Sequence, residues 1–316
     1  MEYKQHVNKK RTLILAVGIP ALIFMGCVLA PLMKRLFISL APNYSFFDTL
    51  ARYELYRILS RILMVLTLIY LIGFRKTLFS GSDTSGLLKV SSLSARLFVA
   101  GFMLGIATLL IQVGCAVFFG ARTLFFYKFT WAKFVAKSVK AFFSASLIGL
   151  IEEFVFRGIL FGYFKRHLPL IMAFLLSSLI YSAAHFFQPK DMIPIDETSL
   201  LSGFVIFAHI IKPVLSPEVI MRSIGLVLVG LCLASGYYFT RSLYFSIGLH
   251  AGWVFVIKVD GIMVTRTMPD RIFLWGSSNI VGGISTWIML VAVLFIIPYL
   301  ITPYFEKRYG ISKISV

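Results

Sequence analysis

Two adjacent glutamates, Glu152 and Glu153, interrupt a stretch that is otherwise uncharged from residue 141 to Arg157. A carboxylate at the centre of a membrane-spanning helix costs ~2.5 to 3.5 kcal/mol on insertion scales. A pair there needs compensation and points to an ion path, a proton relay or an active site. Arg157 supplies part of it: Glu153 and Arg157 are four residues apart, one above the other on a helical face, in the favourable order for an ion pair. Glu152 is turned ~100° away by the 3.6-residue period, so one carboxylate is paired structurally and its neighbour is left to act as a base. Of the five histidines, His185 and His250 fall in apolar runs. A lone histidine on an apolar helix is a hydrogen-bonding link between helices. Two on separate helices, in a chain with one buried acidic pair, shift the reading toward a shared site. Glutamate and imidazole can activate water around a metal ion that lowers the water's pKa. They can also do so with the carboxylate as general base and imidazoles as hydrogen-bonding partners. Both are hydrolytic. HExxH, GxSxG and paired intramembrane aspartates are missing, which removes the zincin, serine-hydrolase and aspartyl readings. A proton- or ion-coupled transporter using the same groups as a relay is the alternative.

The elements that must hold these groups are helices in a bilayer. The chain has 316 residues, 59% hydrophobic and 14% charged, against about 25% charged in a soluble globular protein, which excludes a soluble enzyme. The continuous apolar runs predict an all-α, polytopic integral membrane protein of about eight spans, at roughly 12–33, 55–74, 94–119, 138–163, 168–188, 220–240, 243–259 and 283–303. Of the 13 acids, only Glu152 and Glu153 fall inside these spans. The formal net charge of +18 comes from lysines and arginines at the span ends, such as Lys34, Arg35, Lys165, Arg166, Lys307 and Arg308. They suit anionic headgroups and membrane lipids as partners, not nucleic acid, and their distribution favours cytoplasmic termini by a small margin. Cys27, Cys115 and Cys232 form no CxxC pair and imply neither disulfides nor a thiolate zinc site. The long connection at 189–219, punctuated by Pro189, Pro194, Pro213 and Pro217, carries an uncharged run of re-entrant length and is expected to form a lid.

The segment Glu152-Glu153-Phe154-Val155-Phe156-Arg157 resembles the EExxxR motif of the CPBP family, the CAAX prenyl protease, bacteriocin-processing and Abi-type membrane proteins. Tyr181-Ser182-Ala183-Ala184-His185 is similar to the family's FxxxH, with tyrosine for phenylalanine. Ile247-Gly248-Leu249-His250-Ala251-Gly252-Trp253 is similar to the segment holding its HxxxN. The order of the three makes the resemblance specific. It covers about 138–259 and leaves the first three helices and the last one unconstrained; together with the apolar runs it divides the chain into N-terminal spans over 1–133, a four-helix catalytic core over 134–260, and a C-terminal span and tail over 261–316. It implies an intramembrane protease in a bacterial inner membrane that cuts a membrane-associated protein or peptide. Glu152 would activate water, with His185 and His250 lining the site and Glu153 and Arg157 holding the architecture. If a metal is used, a divalent ion such as zinc, the resemblance offers Glu152, His185 and His250 as its ligands. One residue departs from the pattern. Four positions after His250 the family has Asn, a donor for the tetrahedral oxyanion, and here stands Val254. Loss of one such donor costs ~100- to 1,000-fold in turnover, so the site needs a substitute from His250, Trp253, His209 or Gln188. Without one, the chain is a weakly catalytic relative acting in binding or immunity.

Overall fold

The computed structural model describes residues 2–74, 91–125, 130–185, 195–211, 217–261, 264–265, 268–276 and 280–309. Among them the secondary structure is helical apart from one isolated antiparallel bridge, Leu124 to Val264. The helices are α1 (Glu2–Leu40), α2 (Ser45–Ala51), α3 (Leu55–Gly73), α4 (Ser92–Phe118) and α5 (Trp131–Glu153). A π-helical stretch, Phe154–Phe161, joins α5 to α6 (Gly162–His167). Then come α7 (Leu170–Ala184), α8 (Ser202–Ile211), α9 (Pro217–Thr240), α10 (Leu243–Asp260), α11 (Ile272–Trp275) and α12 (Ile284–Ile296). A second π stretch, Ile297–Ile301, leads to α13 (Thr302–Tyr309); it holds Pro298, which has no N–H to give the regular ladder.

The chain is a polytopic, all-α integral membrane protein. Six of the described helices are long and apolar enough to cross a bilayer: Val17–Leu40, Ser92–Phe118, Trp131–His167, Val219–Thr240, Leu243–Asp260 and Ile284–Arg308. Among the described residues these six do not establish the expected count of eight. The helix expected at 168–188 corresponds to α7, described over 15 residues up to Ala184, with 186–188 outside the described residues, and the one expected at 55–74 corresponds to α3, an apolar helix of 19 residues.

By its contacts the chain forms two compact units, Met1–Ser82 with Ala183–Ser216, and Asp83–Ser182 with Pro217–Val316. In the first, α1, α3 and α8 close around Cys27, Ala30, Leu55, Ile58, Leu59 and Ile206. Gly203 of α8 lies so close to α1 that a Cβ there would strike the carbonyl of Cys27. Glu197 ties the segment down: its carboxylate takes Lys34 Nζ at 2.7 Å and the Leu55 backbone N–H at 3.0 Å. The described part of the expected lid, 195–211, is therefore packed into this unit, while 189–194 and 212–216 lie outside the described residues.

In the second unit α10 is the axis, with 67% of its spanning window buried against 17% for Trp131–His167. The outer helices turn large apolar side chains outward, among them Phe143, Leu147, Ile171 and Ile288, as lipid contact requires. Two GxxxG pairs set the central crossing. A Cβ on Gly101 of α4 would strike the Phe245 carbonyl, and one on Gly248 of α10 that of Phe98. Gly105 and Gly252 meet the facing backbone in the same way. In a bilayer, where the hydrophobic effect does not drive helices together, such backbone-close contact is a main source of association.

Candidate functional site

A seam of small residues leads α5 to the acids. Ala141, Ala145, Gly149 and Glu153 are spaced by four and are the buried residues of this helix, so they form one stripe. At Gly149 a Cβ would sit 3.1 Å from the carbonyl of Ile247, which marks the close approach of α5 to α10 one turn before Glu153. On α10, His250 is two residues from both Gly248 and Gly252, ~200° around the helix from the face pressed on α4. It projects toward α5 instead.

There the groups meet. Arg157 Nη1 donates to Glu153 Oε1 at 3.0 Å, the pair expected from the spacing. The same oxygen takes His250 Nδ1 at 2.9 Å. His250 Nε2 faces Glu152 Oε2 at 3.8 Å. Glu153 is fully buried, Arg157 and His250 nearly so, and the Glu152 side chain is 20% exposed. A carboxylate paired with a guanidinium only accepts hydrogen bonds, so Nδ1 carries the proton and Nε2 is the nitrogen presented toward Glu152. The second oxygen of Glu153 is buried with no hydrogen-bond partner among the described residues. The π-helical stretch begins directly after Glu153, and such wide turns recur at functional sites.

Two contributors were not assigned from sequence. Tyr181, noted only as a replacement for the motif phenylalanine, is buried with its ring 4.4 Å from the Arg157 guanidinium carbon and 6.3 Å, edge-on, from the His250 ring. Its position four residues before His185 was the available signal. The carbonyl of Gly230 on α9 accepts Arg157 Nη2 at 3.2 Å. No sequence pattern marks a main-chain acceptor on a distant helix.

His185 is one residue past the end of α7, half-buried, in the first unit; its role rests on its motif. Trp253 does not supply the missing donor, because its indole N–H is given to Thr108 Oγ1 at 3.0 Å. His209 Nδ1 lies 2.9 Å from the Val205 carbonyl, and Gln188 falls outside the described residues. Among the described residues no three His, Cys, Asp or Glu side chains gather so that they could jointly hold a metal ion. Of the donor set the resemblance offers, Glu152 and His250 face one another within the second unit, at 3.8 Å.

No curated protein and no solved structure matches the chain. Residues 134–256, which hold Glu152, Glu153, Arg157 and His250, match the family model described as Type II CAAX prenyl endopeptidase Rce1-like. The CPBP-type CAAX protease resemblance is therefore a family relationship over that stretch.

Proposed function

We propose that this protein is an intramembrane endopeptidase that cuts a membrane-associated protein or peptide, with Glu152 as the general base. The observation that carries the proposal is the division of labour between adjacent carboxylates. Glu153 is engaged by Arg157 and His250 at hydrogen-bond distance, while Glu152, the more exposed of the two, faces the outer nitrogen of the same imidazole at 3.8 Å. Glu152 takes a proton from water, the hydroxide adds to the peptide carbonyl, and the protonated Glu152 returns that proton to the leaving amine. Glu153 fixes the ring orientation of His250, as a buried carboxylate orients the histidine in other hydrolytic sites. A His250 protonated on both nitrogens can then donate from Nε2 to the oxyanion, the task that Val254 cannot perform. The family description makes a prenylated CAAX tail the first substrate to test, and a bacterial inner membrane is the location this reading implies.

The test is cleavage of a quenched fluorescent prenylated CAAX peptide by purified protein in nanodiscs. Glu152→Gln should abolish turnover while leaving the unfolding stability within ~1 kcal/mol of the parent, since an isostere at this partly exposed position leaves the Glu153–Arg157 pair intact. Retained cleavage by this variant would sink the assignment.

A further inference from the structure

Where α6 and α9 end, the second unit contains a cavity of about 530 Å³ lined by Lys165, Leu170, Tyr237, Tyr238 and Arg241. Lys165 is thirteen residues beyond Glu152, roughly 20 Å along the helix axis, so the cavity is separate from the acid cluster. Its chemistry is cationic and aromatic. The Lys165 ammonium lies 5.5 Å from the centre of the Tyr238 ring and in the field of both Arg241 and Arg166. The Tyr237 ring is braced edge-on by Phe161 at 6.1 Å, and Tyr238 by Phe174 at 5.6 Å, which gives the cavity firm walls.

Arg241 adds a backbone observation. It closes α9 at φ +53°, the only described residue other than glycine with positive φ. That conformation costs a residue with a side chain about 1–2 kcal/mol and glycine nothing comparable. A guanidinium thus stands where the backbone alone would favour glycine.

The cavity's level in the bilayer indicates which anion it takes. Both flanking helices are spans, so their ends lie at headgroup depth, and basic pockets between spanning helices suit anionic headgroups. Leu170 continues the lining into α7, where Ile171, Leu175 and Leu179 are all exposed and follow one another at four-residue spacing. An apolar track therefore leaves the cationic cavity along the lipid-facing side of α7. We propose that the cavity binds the phosphate of an anionic phospholipid, with an acyl chain lying along that track.

The test is native mass spectrometry of delipidated full-length protein titrated with phosphatidylglycerol, phosphatidylcholine or inorganic phosphate. Phosphatidylglycerol should bind the parent in preference to phosphatidylcholine. Lys165→Gln and Arg241→Gly should each weaken it about five-fold, and the double variant about 25-fold, which is ~1 kcal/mol per cation at 1.4 kcal/mol per decade. Arg241→Gly suits the backbone, so it decides the matter if Lys165→Gln does not fold. Three results would overturn the proposal: equal phosphatidylglycerol affinity in parent and variants, equal affinity for phosphatidylcholine, or displacement of the lipid by inorganic phosphate, which would make this a free-anion site.

Discussion

Replacing Arg157 by leucine should damage the fold before it touches the chemistry, and the structure sets the size of the effect. The substitution removes the 3.0 Å bond to Glu153, the 3.2 Å bond to the Gly230 carbonyl and the contact with the Tyr181 ring. It leaves behind a carboxylate with no exposed surface, one oxygen held by His250 and the other with no hydrogen-bond partner among the described residues. Breaking a buried pair from one side costs about 3–5 kcal/mol, chiefly because the surviving charge stays buried. For a chain of this size that lowers the unfolding midpoint on the order of 5–15 °C. The assay is thermal unfolding in detergent micelles, followed by tryptophan fluorescence, for the parent, Arg157→Leu, Glu153→Gln and the double variant. The double variant should be more stable than Arg157→Leu alone, because neutralising Glu153 removes the stranded charge, and the cycle should give a coupling of at least ~1 kcal/mol. A midpoint for Arg157→Leu within 2 °C of the parent, or a coupling near zero, would refute the account of Glu153 as a structurally committed carboxylate.

Two further outcomes separate packing from chemistry. Gly101→Ala places a Cβ against the Phe245 carbonyl and should destabilise by about 1–3 kcal/mol or prevent monodisperse purification. Gly114→Ala on the same helix meets nothing within 4 Å and should stabilise by about 0.5–1 kcal/mol; similar midpoints for the two would contradict the close crossing. Val254→Asn adds an amide donor one turn beyond His250, beside the one proposed for Nε2, and should raise kcat at least ten-fold on the prenylated peptide, whereas an unchanged kcat would show that the oxyanion gains nothing from a donor at this position.

The chemistry was most legible where it depended on neighbours in sequence. Glu153 and Arg157 pair because four residues make one helical turn, and the all-helical membrane class followed from continuous apolar runs. Helix partnership was harder to see. Nothing in the spacing of Glu152, Glu153 and His250 says that one imidazole touches both glutamates, because that depends on how α10 is rotated against α5. The traces were present as small residues: Ala141, Ala145 and Gly149 on one helix, Gly248 and Gly252 on the other.

The two glycine pairs between α4 and α10 also bear on how the proposed activity would be lost. With backbone pressed on backbone at Gly101, Gly105, Gly248 and Gly252, α10 has one permitted azimuth, and His250 on its far side is aimed by atoms that take no part in the reaction. α4 works as a jig: it holds the tool's angle and never meets the workpiece. Variants that lose processing should therefore be sought on α4 as well as among the acids. They would be recognised by a site that keeps every reactive residue and has lost only its alignment.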